Sequence, residues 1–406
     1  MIKQTQTKMF DFSDVGLDFC SGSKNKFPEV FKKMLVTGYN PQIASSVSIS
    51  GDQITLTYGV THGYKANRVI QVTASGGFNK QVYVDSITSN TVTCIVLDGD
   101  TNGLTGTIST KVAALGMSLV YEVGYVHLYK FKAIDETDLY LRLVFTSVTG
   151  NRNTVSVCIG ASADEVTGVI TDINSYENTR SNTIVNDSLK WEFQYTNTSA
   201  HNSYTYSQGL NDYGKGCVVG SIYHLAILSN MTNVLAAGTV NGFFPVITSY
   251  DNLKLPVILG FVHNAASNGY NTKGLSYTTF AYIGNISVAF DSTNGGVNPS
   301  FIFSTAKATQ SVLPASIDSF NTTTARPIAI YERLSRQHLG FIIGGVYELM
   351  YSYDTNVPST SNSQTPFLAA DIDFNNICVI HHLASNTGSQ NCQYLAFPVE
   401  EIKHGN

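Results

Sequence analysis

Charge is what this sequence has least of. Asp, Glu, Lys and Arg together make up 13% of its 406 residues, about half the share usual in soluble domains. Net charge is −5 and Lys or Arg never run beyond two in a row. That leaves no basic footprint, and direct nucleic-acid binding is not expected. The six cysteines, Cys20, Cys94, Cys158, Cys217, Cys378 and Cys392, are scattered and form no CxxC pair. A disulfide framework needs them dense in a short secreted chain, so reduced, mostly buried thiols are expected. Apolar runs such as Leu255 to Val262 are too short to span a bilayer as a helix. Met1 to Phe12 is polar and lacks the apolar stretch of a signal peptide, so the expectation is a soluble chain made in a cytoplasm. Heptads, Gly-X-Y tracts and a fixed-period repeat are also missing, which argues against a coiled-coil or fibrous β-helix architecture.

In place of charge there are hydroxyls, amides and tyrosines. Such a surface loses little on desolvation when it meets another subunit, because charges are depleted at interface cores. An ordinary low-charge β-protein would have the same composition. Length favours two or more compact units.

One short helix is expected over Asn25 to Leu35, where Phe27, Val30, Phe31, Met34 and Leu35 fall at helical spacing. Asn25 would cap it, Pro28 sits in its first turn, Gly38 would end it, and Lys32 and Lys33 suit its C-terminal dipole. Almost everything afterwards alternates with period two. Val47 and Ile49, Gly51-Asp52, then Ile54, Leu56 and Tyr58 read as a β-hairpin. Further strands are expected at 69–72, 82–87, 92–97, 139–145, 155–159, 191–195, 222–228, 256–262, 277–283 and 286–290. The series closes with 301–303, 327–331, 347–353, 377–381 and 394–397. Many short strands without long amphipathic helices predict an all-β fold, mainly antiparallel β-sandwich modules, with one short N-terminal helix. The division is a docking arm with the helix (1–45), a small β-module (46–112) and a larger sandwich-like domain with long loops (113–406). Those loops are expected at Asn174 to Ser188, Asn197 to Asn211 and Ser359 to Thr365.

Candidate chemistry is thin. Asp98-Gly99-Asp100-Thr101-Asn102-Gly103 matches the first half of a calcium loop, but Ser109 stands where a bidentate carboxylate is required, so a plain turn competes. His381 and His382 are neighbours on an expected strand and must point to opposite faces, while Cys378 and His382 share one face; neither pair makes a zinc site. Gly214-Lys215-Gly216-Cys217-Val218-Val219-Gly220 lacks nucleotide-loop spacing, and no GxSxG elbow or Walker A loop occurs. Asp135-Glu136-Asp138, Asp164-Glu165, Asp371/Asp373 and Glu400-Glu401 offer carboxylates to a glycosidase without singling out a pair. Trp191, the only tryptophan, reads as a core aromatic rather than a sugar platform. Loop tyrosines such as Tyr204 and Tyr206 are candidates for contacting a partner or carbohydrate. Thr61-His62-Gly63-Tyr64 sits between two strands with no second catalytic group near it. Gly63 can take a positive φ, Tyr64 is expected to pack back over the module, and Lys65 and Arg68 to face solvent. No catalytic, cofactor-binding or metal-ligating residue is therefore assigned, no cofactor is expected, and the chain is not expected to be an enzyme.

Two of these stretches carry a resemblance. The order Leu35-Val36-Thr37-Gly38-Tyr39-Asn40, a hairpin, Thr61-His62-Gly63-Tyr64, then Asn79 and Val82-Tyr83-Val84 resembles a family of tailed-bacteriophage virion structural proteins. In that family LVTGFN follows a short N-terminal helix, a small β-module with a GHGF or GHGY turn comes next, and a larger β-rich body follows. Here Thr61 replaces the leading glycine. The likeness covers about 25–110, with echoes at Arg142 to Gly160, Lys190-Trp191 and Arg326-Pro327. It implies a non-enzymatic, multi-copy virion component of the tail or baseplate, assembled in the bacterial cytoplasm with other virion proteins and with copies of itself. Receptor binding to a host surface glycan, a depolymerase, and a head decoration or collar protein are the alternatives. The resemblance carries over no catalytic residues, and no membrane contact is expected.

Overall fold

The computed structural model describes residues 3–147, 153–185, 189–193, 199–209, 216–230, 238–261, 279–290, 324–350, 368–370, 377–383 and 393–402. The strands expected at 301–303, the loop at 359–365, Asp371, Asp373 and Cys392 lie outside them. The protein is all-β, built from antiparallel sheets with one short helical segment near the start.

That segment is less regular than its periodicity suggests. A 3₁₀ turn (Lys24–Lys26) leads into an α-helix (Phe27–Lys32) that widens into a π turn (Lys33–Thr37). Asn25 does not cap it; its side-chain amide donates instead to Ser203 Oγ at 3.0 Å. Gly38 does end it, at φ +72°. Phe27 and Phe31 pack on Phe193, Phe145 and Trp191, so the helix fastens onto a sheet through aromatic rings.

Tyr39–Ala44 pairs with Ile108–Val112, so the small sheet begins at Tyr39 rather than at Ser46. Its seven strands run in the order 39–44, 108–112, 69–74, 79–87, 91–95, 53–57, 46–50. Ile54, Leu56, Ile70, Val72, Val82, Val84, Val92 and Cys94 fill its inner face together with Thr110, and alternation puts Thr55, Thr73 and Thr93 on the other face.

The larger body is layered. A five-stranded sheet (190–192, 154–160, 138–145, 126–132, 118–123) lies on one side of a ten-stranded sheet, and a second five-stranded sheet (324–326, 347–350, 393–398, 377–383, 368–370) on the other. Strand Gly238–Phe244 of the ten-stranded sheet shows this most clearly. Phe243 meets Phe131 of the first sheet at 4.7 Å between ring centroids, and Asn241 Nδ2 donates to Glu192 O at 3.2 Å. On its other face Phe244 meets Phe397 at 6.4 Å. Every residue of that strand is buried.

Residues 4–12, expected within a docking arm, are built into the chain's own sheets. Lys8–Asp11 pairs with Cys217–Gly220 as an edge of the ten-stranded sheet. Gln4 Nε2 donates to Val399 O and Thr7 Oγ1 to Glu400 O, which ties the two ends of the chain together. Cys20, Cys94, Cys158 and Cys217 are free thiols and buried, and Cys378 is buried too.

Candidate functional site

The His62 corner is where sequence motifs meet. Gly63 adopts φ +73°, and a Cβ there would stand 2.9 Å from Val15 Cγ2, so only glycine fits without a shift. The tight corner turns Tyr64 back, and its backbone N–H donates to His62 Nδ1 at 2.9 Å. Nδ1 is thereby an acceptor, which leaves the ring proton on Nε2 to donate to Thr88 O at 3.0 Å. Asn40, in the left-handed region at φ +52°, donates its amide to His62 O at 2.9 Å. The Tyr64 hydroxyl donates to Asn40 O at 3.1 Å, and Thr110 Oγ1 lies 2.8 Å from it and 3.0 Å from the Tyr58 hydroxyl. Both nitrogens of a buried ring are engaged within the module, which is the arrangement of a structural histidine. His62→Ala strands the buried Tyr64 N–H and removes the donor to Thr88 O. A loss of about 1–3 kcal/mol in unfolding free energy is expected by urea denaturation.

Beside the corner lies a buried ion-pair cluster that corrects one expectation. Lys65 is 41% exposed at its side chain, but Arg68 is buried rather than solvated. Arg68 Nε and Nη2 reach Asp14 at 3.3 and 3.4 Å, Lys65 Nζ reaches it at 2.9 Å, and the Tyr39 hydroxyl donates to it at 2.7 Å. Burial pushes the Asp14 carboxyl up, but Arg68 and Lys65 together outweigh it and hold the group down at about 2. Neighbouring Asp11 moves the other way, raised by burial and by the charge on Asp14. The cluster joins the N-terminal segment to the small sheet.

The Asp98–Gly103 turn is occupied by a cation of the protein's own. Lys80 Nζ lies 2.7 Å from Asp98 Oδ2, 2.8 Å from Asp100 Oδ2 and 2.9 Å from Asp100 O. The lysine lowers both carboxyls. His381 is buried, with Nε2 3.1 Å from Thr239 O. No cluster of three or more His, Cys, Asp or Glu suited to a metal occurs among the described residues.

The carboxylates are dispersed. Asp164 accepts from Val166 N and Thr167 Oγ1, Glu165 pairs with Lys130, Asp138 with Lys132, and Glu136 accepts from the Tyr223 hydroxyl. Trp191 is a core residue, fully buried against Phe31. Gly216–Gly220 is a strand.

The described loops are pinned. Arg142, buried on the outer face of the 118–160 sheet, donates to Gly168 O at 2.7 Å, Thr179 O at 3.4 Å and Asn182 Oδ1 at 3.0 Å. Tyr206 N donates to Asp18 Oδ1 at 3.1 Å.

Two buried histidines escaped sequence reasoning. Ser221 Oγ lies 2.8 Å from His224 Nδ1 and accepts from Tyr223 N. Both are fully buried, and Gly345, at φ +80°, closes on the ring. The pair has the atoms of a serine–histidine dyad without access for a substrate; it locks a turn. His127 is buried with Nδ1 2.7 Å from the Tyr129 hydroxyl. A serine three residues before a histidine was the only local signal for the first. Burial lowers His224 to about 3 and, despite Glu122, His127 to about 4. Below an unfolded pKa of about 6.5, the unfolded chain binds protons that the folded chain refuses. Stability is therefore full above about 6.5 and falls as pH drops towards 4, by about 1.4 kcal/mol per pH unit for each histidine. Melting curves between pH 7 and 5 should show this slope, and His224→Gln should roughly halve it.

No protein-family model, no curated protein and no solved structure matches this chain.

Proposed function

We propose that this chain is a structural component of a tailed-bacteriophage virion, present in multiple copies and attached to the tail or baseplate. The supporting observation is that the two stretches carrying the resemblance form one joint. Asn40, from Leu35–Asn40, bonds His62 and Tyr64, from Thr61–Tyr64, in both directions. Segments separated by a hairpin in sequence thus act as one architectural unit, as a shared module requires. The polar chemistry nearby is consumed internally, by His62 on Thr88 O and by Asp14 on Arg68. An all-β, charge-poor body suits repeated packing among neighbours.

Immunogold labelling of purified particles tests this. Label at the tail or baseplate end is expected. Label on heads alone would make the chain a decoration or collar protein, and unlabelled particles would end the proposal.

A further inference from the structure

One edge of the small sheet lacks the devices that keep edges apart. Ser46–Ser50 is the terminal strand of that sheet, in unbroken register with Gln53–Thr57. Its sequence, Ser-Val-Ser-Ile-Ser, contains no charge and no proline, and Ile49 is 48% exposed. Natural edges are blunted by charge, proline, bulges, shortness or cover. The other described edges show these features. Tyr39–Ala44 has Pro41 and a register shift, and Ser118–Val123 has Glu122 and faces one. Val246–Thr248, Thr324–Arg326 and Leu368–Ala370 span three residues each, and Lys8–Asp11 is buried.

The free side of this strand follows from the hairpin. Ser50 and Gln53 flank the two turn residues Gly51-Asp52 and form the bonded closing pair. Alternation then directs the N–H and C=O of Val47 and Ile49 away from the sheet. Their side chains lie on the same face as the buried Leu56 and Ile54, while Ser46, Ser48 and Ser50 lie on the other.

The strand is also close to a palindrome about Ser48. We propose that Ser46–Ser50 pairs antiparallel with the same strand of a second copy of this chain, on a two-fold axis through Ser48. In that register Val47 faces Ile49 of the second copy and Ser46 faces its Ser50. The outward residues on both strands become reciprocally bonded pairs, and each half-exposed Ile49 gains a β-branched neighbour. An isologous contact demands self-complementarity, and this sequence supplies it. The occupant is a second copy, not an unrelated strand, because the symmetry lies in the residues themselves. The contact is small and weak alone, suited to chains already held at high local concentration. It does not rest on the virion assignment.

Cysteine trapping reads the register. At the axis the two Ser48 Cα atoms would lie about 4.5 Å apart, within the span of about 4.4–6.8 Å that a disulfide bridges. The two Ser46 positions would stand roughly 13 Å apart at about 3.3 Å per residue. Purified full-length Ser48→Cys and Ser46→Cys chains are incubated in a glutathione redox buffer and run on a non-reducing gel, with circular dichroism to check folding. Ser48 and Ser46 are exposed, so both should fold. A covalent dimer from Ser48→Cys, and none from Ser46→Cys or wild type, is expected. No dimer from Ser48→Cys, or equal dimer from both, overturns the proposal. Either failure leaves the particle assignment standing, because the assay uses no particle.

Discussion

Asp14→Asn should lower the unfolding free energy by about 3–5 kcal/mol, the usual loss when one partner of a buried ion pair is removed. Arg68 is the reason. Its guanidinium is buried, and the charge on Asp14 holds it protonated against desolvation. An amide leaves that cation with no full counter-charge and turns the Tyr39 hydroxyl towards a weaker acceptor. Lys65 can swing to water and contributes little. Asp11 works against the loss, since it feels the charge of Arg68 and would ionise more readily once Asp14 is neutral. The double change Asp14→Asn with Arg68→Met should therefore recover much of the stability, because the uncompensated charge goes with its partner. Urea titration of the wild type, both single variants and the double variant closes the cycle. The pH dependence has the matching sign. Asp14 titrates lower when folded, so its contribution is complete above about 4 and is lost as pH falls towards its folded value of about 2. Asp11, raised on folding, acts in the opposite direction and is most favourable when protonated.

Trp191→Ala should remove about 3–5 kcal/mol, the range for deleting a large buried aromatic. The side chain is fully buried and stacks near Phe31 at 6.5 Å, and Val155 is its cross-strand partner. The cavity cannot close easily, because the walls belong to different elements: the α-helix, the 118–160 sheet, and the ten-stranded sheet where Gly260 approaches the indole. Trp191→Phe should cost less by keeping most of the contact area. If the indole were a sugar platform instead, the alanine variant would stay folded and lose a ligand. Thermal melts, with Trp191 as the sole tryptophan for fluorescence in the wild type, separate the outcomes.

Alternation makes the strands with one wet face legible. Ile54, Leu56, Val92 and Cys94 alternate with Thr55 and Thr93 because that sheet has water on one side. Gly238–Phe244 was not legible: buried on both faces, it carries Thr239 and Asn241 inside and shows no alternation. Lys8–Asp11 was missed for a related reason, since its polar ends are buried only through pairing with Cys217–Gly220, far along the chain. The helix was placed correctly but not its interior geometry, because the π turn before Gly38 lies within the same apolar periodicity.

The site divides in the same way. Positive φ at Gly63 and burial of Tyr64 were readable from the turn itself. Arg68 was misread because its partner Asp14 comes from the N-terminal segment and nothing local announces it. Lys80 in the Asp98–Gly103 turn is the same kind of long-range fact. Lys80 sits where sequence alone left the Asp98 and Asp100 carboxylates looking available. Among the described residues, His62, His127 and His224 and the carboxylates of Asp14, Asp98 and Asp100 are engaged by the protein's own groups.

Copy number tests the proposed virion role most directly. Isotope-labelled peptides of this chain, spiked into digests of gradient-purified particles, give copies per particle by mass spectrometry. A repeated, reproducible whole-number stoichiometry above one is predicted for a tail or baseplate component. Less than one copy per particle would contradict it.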